Sequence, residues 1–301
     1  MTSRTTIRTA AALAALLAAS EARAQSLALK PEVAVYQDAK EIGLKAPEGV
    51  ACREDGAVLV ADTGNGRLLR FTWKEGVLSA ATEVKVAQVT APGDVQLDAT
   101  GAGFLVLDRK EKRIARVDGA GALAGWLDPK GMTKGSVVPA SFAAGADGSV
   151  VILDAAATQI LVLEPDGAVR RKVPLPRDGA LFTAVAAGAN GTVYAVDAIA
   201  ARVWSAPKDA KEFKPFTEPL KGYMNFPGHL VATTRGLVLV DQNGGGLVVI
   251  GQDGSYLGRQ LSMGWSAGFV YYPAQICVTG PGDVFVADRG NNRVQVFSAS
   301  R

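Results

Sequence analysis

Six aspartates stand at the ends of short apolar segments, where their carboxylates could bind cations or accept backbone hydrogen bonds. The segments read VLVAD, FLVLD, VVILD, VYAVD, LVLVD and VFVAD, and the intervals between their aspartates are 46, 46, 43, 44 and 47 residues. The aspartates are Asp62, Asp108, Asp154, Asp197, Asp241 and Asp288. A ring of carboxylates suggests a metal site, but an aspartate that ends a strand also accepts N–H groups of the following turn. We favour the second interpretation and predict no metal site.

The residues five positions after these aspartates favour a structural role. An arginine there can pair with the aspartate across a hairpin, and we expect exposed pairs that each contribute about 0–1 kcal/mol. The positions hold Arg67, Arg113, Gln159, Arg202, Gly246 and Arg293. The six aspartates and the four arginines are therefore interpreted as a repeated structural motif.

The same succession of predicted strands and turns surrounds each aspartate. A turn such as Asp55-Gly56 or Asn190-Gly191 precedes the aspartate strand, and another short apolar strand precedes that turn. A third strand starts five residues after the aspartate, and a second turn and a weaker fourth strand follow. Four short antiparallel strands with a period of about 45 residues are typical of a propeller blade. The predicted fold class is all-β, a six-bladed β-propeller of four-stranded antiparallel blades.

Two stretches carry a more specific pattern. Residues 47–71 run from PEGVA to VLVADTGNGRLLRF, and residues 272–297 read YPAQICVTGPGDVFVADRGNNRVQVF. Both resemble NHL repeats, and the resemblance extends over residues 25–301. Residues 227–250 depart most from the pattern, because Gly246 stands where an arginine is expected. The resemblance implies an NHL-type propeller of the exported bacterial kind.

Propeller enzymes that are similar to this pattern suggest two metal-dependent chemistries. Peptidylglycine amidating lyases hold zinc with several histidines, whereas this chain has one histidine. Lactonase and gluconolactonase propellers hold calcium with acidic and Asn side chains, for which Asp94 alone is a thin basis. We therefore expect no cofactor and favour a protein without enzymatic activity.

The two ends of the chain are predicted to close the ring together. The last blade reaches its third strand at Phe297, and residues 26–46 precede the first complete blade. The segment Glu32-Val33-Ala34-Val35-Tyr36 within them reads as a strand. We expect it to supply the outer strand of the last blade, since this arrangement removes exposed sheet edges.

The residue at the start of each first strand should lie near the mouth of the central channel. Alignment of the repeats on their prolines places there Gly49, Asp94, Ser141, Ala184, His229 and Gln275. Asp94, Ser141 and His229 are the residue types of a nucleophilic triad. His229 falls in the fifth blade, however, too far from the second and third blades for the hydrogen bonds of a triad. We predict no catalytic residue and interpret His229 as a hydrogen-bonded strand residue.

Two long connections between blades form the predicted binding surface. Residues 213–227 and 257–273 each lead from a fourth strand to the first strand of the next blade, so we expect them on one face. Their aromatic residues are Phe213, Phe216, Tyr223, Phe226, Trp265, Phe269, Tyr271 and Tyr272. Exposed together, these rings would form a patch for a protein or another ligand. The alternative is that they pack into the blade cores.

The two cysteines, Cys52 and Cys277, fall in the first strands of blades one and six, which a closed ring makes neighbours. Alignment on Pro47 and Pro273 puts them one position apart, so both side chains point into the seam between these blades or both point away. A disulfide there would suit an exported protein and would contribute about 4–5 kcal/mol in the chain-entropy model. The alternative is two buried free thiols.

Residues 1–24 read as a secretory signal peptide. Arg4 and Arg8 precede an apolar run of 11 residues, and an A-R-A sequence fits a cleavage site after Ala24. The run spans about 16 Å as a helix, roughly half of what a membrane crossing needs. We therefore expect a mature protein, residues 25–301, that forms one propeller domain in the periplasm or outside the cell and has no transmembrane span.

The charge balance of the chain limits the classes of function that need be considered. Residues 1–24 hold three arginines and one glutamate, which leaves 29 basic and 28 acidic residues in the remainder. This balance argues against a nucleic-acid binder, which needs a basic face. The first hypothesis is a non-catalytic protein- or ligand-binding module, part of a cell-envelope assembly with a protein partner in the periplasm or envelope. The alternative is a propeller enzyme of lyase or lactonase-like hydrolase type with a channel active site.

Overall fold

The computed structural model describes residues 28–98, 101, 103–177 and 179–299, so the predicted signal peptide lies outside the described residues. The described residues form six antiparallel sheets. The first strand of each sheet packs against the first strands of its two neighbours, and the sixth sheet meets the first. This arrangement confirms the predicted six-bladed β-propeller. No helix in the described part of the chain is long and apolar enough to cross a membrane.

The strands follow the repeat. The chain enters the fold with β1 (Leu29–Val35). Blade one comprises β2 (Gly49–Cys52), β3 (Ala57–Asp62), β4 (Arg67–Lys74) and two short edge strands on β4, β5 (Val77–Leu78) and β6 (Thr82–Val84). Blade two comprises β7 (Pro92–Leu97), β8 (Gly103–Asp108), β9 (Arg113–Asp118) and β10 (Leu123–Trp126). Blade three comprises β11 (Pro139–Ala144), β12 (Val150–Asp154), β13 (Gln159–Leu163) and β14 (Val169–Pro174).

The remaining blades repeat this order. Blade four comprises β15 (Phe182–Ala187), β16 (Val193–Asp197), β17 (Arg202–Ala206) and β18 (Lys214–Pro215). Blade five comprises β19 (Pro227–Thr233), β20 (Gly236–Asp241), β21 (Gly246–Ile250) and β22 (Tyr256–Gln260). Blade six comprises β23 (Ile276–Val278), β24 (Val284–Asp288), β25 (Arg293–Ala299) and the N-terminal β1. Single 3-10 turns at Thr63–Asn65 and Arg289–Asn291 follow β3 and β24.

The ring closes through β1, as predicted. This strand pairs antiparallel with β25, so that Leu29 lies opposite Ala299 and Val35 lies opposite Val294. Blade six therefore draws three strands from one end of the chain and its outer strand from the other. The pairing covers an edge of β25 that would otherwise present unpaired backbone groups.

The apolar core lies in the seams between blades. Within the described residues, six hydrophobic clusters each join two neighbouring blades. At the closing seam, Val50 and Phe71 of blade one pack with Phe285 and Val296 of blade six. Because an inner strand such as β12 is buried on both faces, its sequence is a continuous apolar run rather than an alternating one.

The six repeated aspartates are buried, and each holds the connection that leads into its own blade. Their carboxylates accept backbone N–H groups that lie 15 to 18 residues earlier in the chain. The donors are Lys45, Thr90 and Ala91, Val138, Leu181, Asn225 and Phe226, and Tyr271. All six connections therefore meet on one face of the propeller, the face at which the second strands end. We call it the aspartate face.

The ion pairs of the repeat differ from the expectation in two respects. Arg67 Nε and Arg293 Nε each donate to their aspartate over 2.7 Å. These pairs are buried rather than exposed, so the expectation of surface pairs is wrong. Arg113 and Arg202 do not pair with the aspartate of their repeat. Arg113 instead pairs with Asp128 over 2.6 Å, and its guanidinium lies over the ring of Trp126 in the outer strand at 4.6 Å.

Arg202 is the second exception. Its Nε has no hydrogen-bond partner, and its nearest carboxylate is that of Glu218, 3.9 Å from Nη2. Its guanidinium lies over the ring of Trp204 at 5.9 Å. The expected pair between Arg202 and Asp197 is therefore wrong as well, since an aromatic contact on its own strand holds the guanidinium elsewhere.

Candidate functional site

A glutamine side chain occupies the middle of the central channel. Gln275 extends from blade six, and its Oε1 accepts the N–H groups of Val50 in blade one and Val95 in blade two, each over 3.1 Å. Its Nε2 donates to the carbonyl of Val95 over 2.9 Å. All of these groups are buried. Gln275 thus ties three blades together and separates a cavity on the aspartate face from a cavity on the opposite face.

The cavity on the aspartate face has a volume of about 200 Å³ and is lined by residues of all six blades. We call it the polar mouth and define it by its polar side chains, which are Glu48, Asp94, Arg109, Thr183, His229, Gln242 and Arg289. Of the four residues predicted at the channel mouth, Asp94 and His229 line this cavity. Gln275 lies beneath it, and Ser141 is buried beside it.

The carboxylate of Glu48 contacts both arginines of the polar mouth. Arg109 Nε lies 2.9 Å from Glu48 Oε2 and Arg289 Nε lies 3.3 Å from Glu48 Oε1. The first contact is an ion pair without hydrogen-bond geometry, because Oε2 is buried and has no hydrogen-bond partner. Arg109 also reaches toward Asp94, with 3.7 Å between Nη2 and Oδ1. Two guanidinium groups therefore share one carboxylate and border a second.

Burial governs the charge of Asp94. Removal from water raises the pKa of its carboxyl, and the charge of Arg109 and the nearby Ser141 hydroxyl oppose that rise. Ser141 Oγ is itself buried and has no partner at hydrogen-bond distance and angle. The pKa of Asp94 therefore lies above the ordinary value of an aspartate.

Burial also governs the charge of His229. Its pKa is lowered to about 4, because its imidazole is removed from water. Its Nδ1 accepts the backbone N–H of Ile276 over 3.5 Å, which makes it a hydrogen-bonded strand residue. Since Ser141 Oγ has no partner, Asp94, Ser141 and His229 form no hydrogen-bonded triad.

The second cavity, on the opposite face, is lined mostly by apolar side chains. It has a volume of about 330 Å³, and its walls include Val50, Leu97, Ala144, Ala187, Val231 and Cys277. We call it the apolar mouth. Cys277 is joined to Cys52 by a disulfide across the seam between blades one and six, with 5.7 Å between the Cα atoms. Both cysteines pack against the hydrophobic cluster of that seam.

The first aromatic connection, residues 213–227, mostly faces inward. Phe213 is buried in the cluster between blades three and four, so its prediction as a binding residue is wrong. It immediately precedes the short β18 and fills the seam there. Phe216 packs half-buried on Tyr194, with ring centroids 5.2 Å apart. Tyr223 is exposed but stacks on Tyr256 at 3.9 Å, and Phe226 lines the polar mouth half-buried.

The second aromatic connection presents its rings to solvent. We call residues 261–272 the aromatic loop. Trp265 is 74% exposed, Phe269 44% and Tyr272 41%. Tyr271 lies between its neighbours, with its ring centroid 5.7 Å from that of Trp265 and 4.6 Å from that of Tyr272. The loop thus carries a contiguous aromatic surface at the rim of the aspartate face.

The backbone beneath this aromatic surface is held by side chains of blade six. Asp288 accepts the N–H of Tyr271 over 2.7 Å, and Asn291 donates to the carbonyl of Gly264 over 2.9 Å. Arg293 Nη2 donates to the carbonyls of Ser266 and Phe269 over 2.9 and 2.8 Å. Gln295 accepts the N–H of Gly268 and donates to the carbonyl of Phe269. The exposed rings therefore lie on a loop whose backbone is already ordered by hydrogen bonds within the protein.

Several residues of these surfaces were not predicted. Arg109 and Arg289 each directly follow a repeated aspartate, and this shared position in the turn after the second strand is the signal that marks them. Glu48 stands just before the first strand of blade one, one position ahead of the residues that the alignment selected. Gln295 shows no such signal, because its partners belong to a different connection. In the described residues no group of three or more His, Cys, Asp or Glu side chains is placed to hold a metal ion.

The comparisons in sequence reach only part of the chain. Residues 270–297 match the model of the NHL repeat. They comprise the end of the aromatic loop and most of blade six. No curated protein is detectably similar to the chain in sequence.

Solved structures similar to this one cover most of the chain. Virginiamycin B lyase from Staphylococcus aureus is 12% identical with a TM-score of 0.63, covering 90% of this chain and 100% of its own. A gluconolactonase from Xanthomonas campestris is 15% identical with a TM-score of 0.66, covering 88% of each chain. A chain of the nidogen/laminin complex is 17% identical with a TM-score of 0.58, covering 73% of this chain and 81% of its own. At these identities the likeness concerns the fold alone. The protein is a six-bladed β-propeller that carries an NHL repeat at residues 270–297.

Proposed function

We propose that the protein is a non-catalytic binding module that holds a protein partner on the aromatic loop. The observation that carries this proposal is the combination of exposed rings and a fixed backbone in residues 261–272. Trp265, Phe269 and Tyr272 are exposed, while Arg293 and Gln295 hold the loop from below. Large exposed aromatic side chains are the residue types that contribute most to binding at protein interfaces.

The fixed backbone makes the loop suitable for tight binding. A loop that orders only on association loses conformational entropy at that moment, and this loss subtracts from the affinity. Here the hydrogen bonds of Asp288, Asn291 and Arg293 order the loop before any partner arrives. Exposed rings on a loop are accessible to a protein surface, whereas a small-molecule ligand is usually bound in an enclosing cavity. One of the similar folds, in the nidogen/laminin complex, comes from an assembly of proteins.

We propose further that the protein acts outside the cytoplasm, in the periplasm or at the cell exterior. The features that support this are the signal-peptide pattern of residues 1–24 and the disulfide between Cys52 and Cys277. Disulfides persist in oxidising compartments and are rare in the cytosol. A partner in the cell envelope would be reached in the same compartment.

The test is affinity capture of tagged residues 25–301 from the native envelope fraction, followed by mass spectrometry. We expect a stoichiometric protein partner, and we expect Trp265→Ala combined with Tyr272→Ala to reduce its recovery at least tenfold. Val77→Ala is the matched control, since Val77 is an exposed apolar residue on the edge of blade one. Circular dichroism of each variant verifies the fold. Recovery of no stoichiometric partner, or equal recovery by the double variant, contradicts the proposal.

A further inference from the structure

The aromatic loop borders the polar mouth. The loop ends at Tyr272, and Ala274 two residues later already lines the polar mouth. Arg289 lies on the other side of the junction, where the N–H of its neighbour Gly290 donates to the carbonyl of Tyr271 over 2.8 Å. A segment bound on the aromatic rings would therefore have the charged side chains of the mouth beside it.

Two arginines of the polar mouth are fixed and yet accessible. The side chain of Arg109 is 52% exposed and that of Arg289 is 43% exposed. Each directs its Nε at the partly buried carboxylate of Glu48, which holds one edge of the guanidinium. The Arg109 side chain lies close against Gly93, where a Cβ would collide with it. Two guanidinium groups are thus held at the rim of one cavity.

The charge around this cavity favours an anion. The carboxylates of Glu48 and Asp94 are largely withdrawn from solvent, with side-chain exposures of 11% and 13%. The pKa of His229, lowered to about 4, leaves its imidazole neutral at pH 7. The turn that begins with Arg109 also exposes Lys110, Glu111 and Lys112, but these three residues lie outside the lining of the mouth. The accessible charges of the mouth are therefore predominantly positive, although the whole chain is nearly neutral.

We propose that the polar mouth binds a carboxylate side chain of the partner, with Arg109 and Arg289 as its two cationic contacts. The identity of the ligand as part of a protein rests on the proposed function. A guanidinium group matches the planar geometry of a carboxylate and can donate two parallel hydrogen bonds to it. The volume of about 200 Å³ lies below the range of small-molecule sites and suits a single acidic side chain.

The site can be tested with a small probe, without the partner. The probe is N-acetyl-aspartate amide, and its matched neutral control is N-acetyl-asparagine amide. The Nε–H signals of Arg109 and Arg289 are recorded in two-dimensional 15N NMR spectra and assigned from their loss in Arg109→Gln and Arg289→Gln. We expect the aspartate probe to shift both signals saturably with a dissociation constant of about 1–10 mM, and the asparagine probe to leave them in place.

Two charge-removing variants distinguish a specific carboxylate site from nonspecific electrostatic attraction. Arg289→Gln is expected to weaken the aspartate probe about tenfold, as judged by the Arg109 signal. Lys110→Gln removes the same charge from an exposed residue of the Arg109 turn and is expected to change the affinity less than twofold. The proposal is overturned if the aspartate probe gives no saturable shift, if the asparagine probe shifts the signals equally, or if Lys110→Gln weakens binding as much as Arg289→Gln.

This result is independent of the capture experiment. Failure to recover a protein partner would contradict the proposed function and leave a saturable response to the aspartate probe intact. Conversely, a partner that is lost with Trp265→Ala but still bound by Arg289→Gln would support the aromatic loop and contradict the carboxylate site.

Discussion

Arg259 reaches from the outer strand of blade five to Asp241 and supplies the charge that the repeat lacks in this blade. Its Nη1 donates to Asp241 Oδ2 over 2.6 Å, and its Nη2 donates to the carbonyl of Gly244 over 2.6 Å. In blades one and six the corresponding aspartate pairs with an arginine five residues later, whereas blade five has Gly246 at that position. A Cβ at Gly246 would lie 2.7 Å from Arg259 Nη2, so the glycine makes room for the arginine that replaces it.

Replacement of Arg259 should destabilise blade five. Arg259→Ala leaves the buried carboxylate of Asp241 without its guanidinium, and removal of one partner of a buried pair costs about 3–5 kcal/mol. The Arg259 side chain is 28% exposed, so screening by solvent reduces the expected loss of unfolding free energy to about 1–3 kcal/mol. Urea denaturation measures it. Arg235→Ala, at an exposed arginine of the same blade, is the control and should change stability by less than about 0.5 kcal/mol. Equal stability of the two variants would show that the pair contributes nothing.

Gln275 should be a major link between blades one, two and six. Gln275→Ala strands the buried N–H groups of Val50 and Val95, and each unsatisfied group costs about 1–3 kcal/mol. The expected loss of unfolding free energy for the two groups is therefore about 2–6 kcal/mol.

Amide hydrogen exchange provides the specific measurement for Gln275. The amides of Val50 and Val95 should exchange faster in Gln275→Ala, while amides in blade four keep their protection. Gln242→Ala, at the polar mouth but away from these N–H groups, is the control and should leave both rates unchanged. A Gln275→Ala protein with wild-type protection at both valines would refute the assigned role.

The fold was predictable because its determinants are local. An aspartate at the end of an apolar segment, a turn rich in glycine and a strand five residues later recur in each repeat, and they specify a blade without knowledge of distant contacts. The closing strand was predictable as well, since blade six lacked a fourth strand in sequence order and β1 offered one.

The site was predictable only where its residues occupy the repeated positions. Gln275 was placed at the channel, but its hydrogen-bond partners lie 225 and 180 residues away, so its role as a link between three blades has no local signal. Arg259 comes from a fourth strand, the least regular element of the repeat, and was not selected. The aromatic residues could not be sorted in advance, because exposed Trp265 and buried Phe213 differ in their three-dimensional neighbours and not in local sequence.

His229 should make the folded state sensitive to acid. Its pKa is about 4 in the folded state and about 6.5 in the unfolded chain. Between these values the unfolded chain binds a proton that the folded protein does not, so stability is lost as the pH falls. Acidification from pH 7.5 to pH 4.5 should therefore lower the free energy of unfolding by about 2–3 kcal/mol through His229.

The comparison with His229→Gln isolates this contribution. Both proteins share all other titrating groups, so the difference between their stabilities at pH 7.5 and pH 4.5 reports on His229. We expect the variant to lose about 2–3 kcal/mol less than the wild type on acidification. NMR provides a direct check, because the chain has a single histidine and its imidazole signals should stay at neutral positions down to about pH 5. Parallel stability curves for the two proteins would contradict the assignment.

The disulfide should stabilise the ring without being required to close it. Cys52 and Cys277 are 225 residues apart, and in the chain-entropy model a loop of that length contributes about 5 kcal/mol by restricting the unfolded chain. The hydrogen bonds between β1 and β25 hold the same two ends of the chain together in the folded state. We therefore expect dithiothreitol to lower the urea midpoint while the native circular dichroism spectrum persists. The double variant Cys52→Ala and Cys277→Ala should have the reduced midpoint with or without dithiothreitol, and unfolded, unreduced wild-type protein should show no free thiol. Two free thiols in that assay would rule out the disulfide.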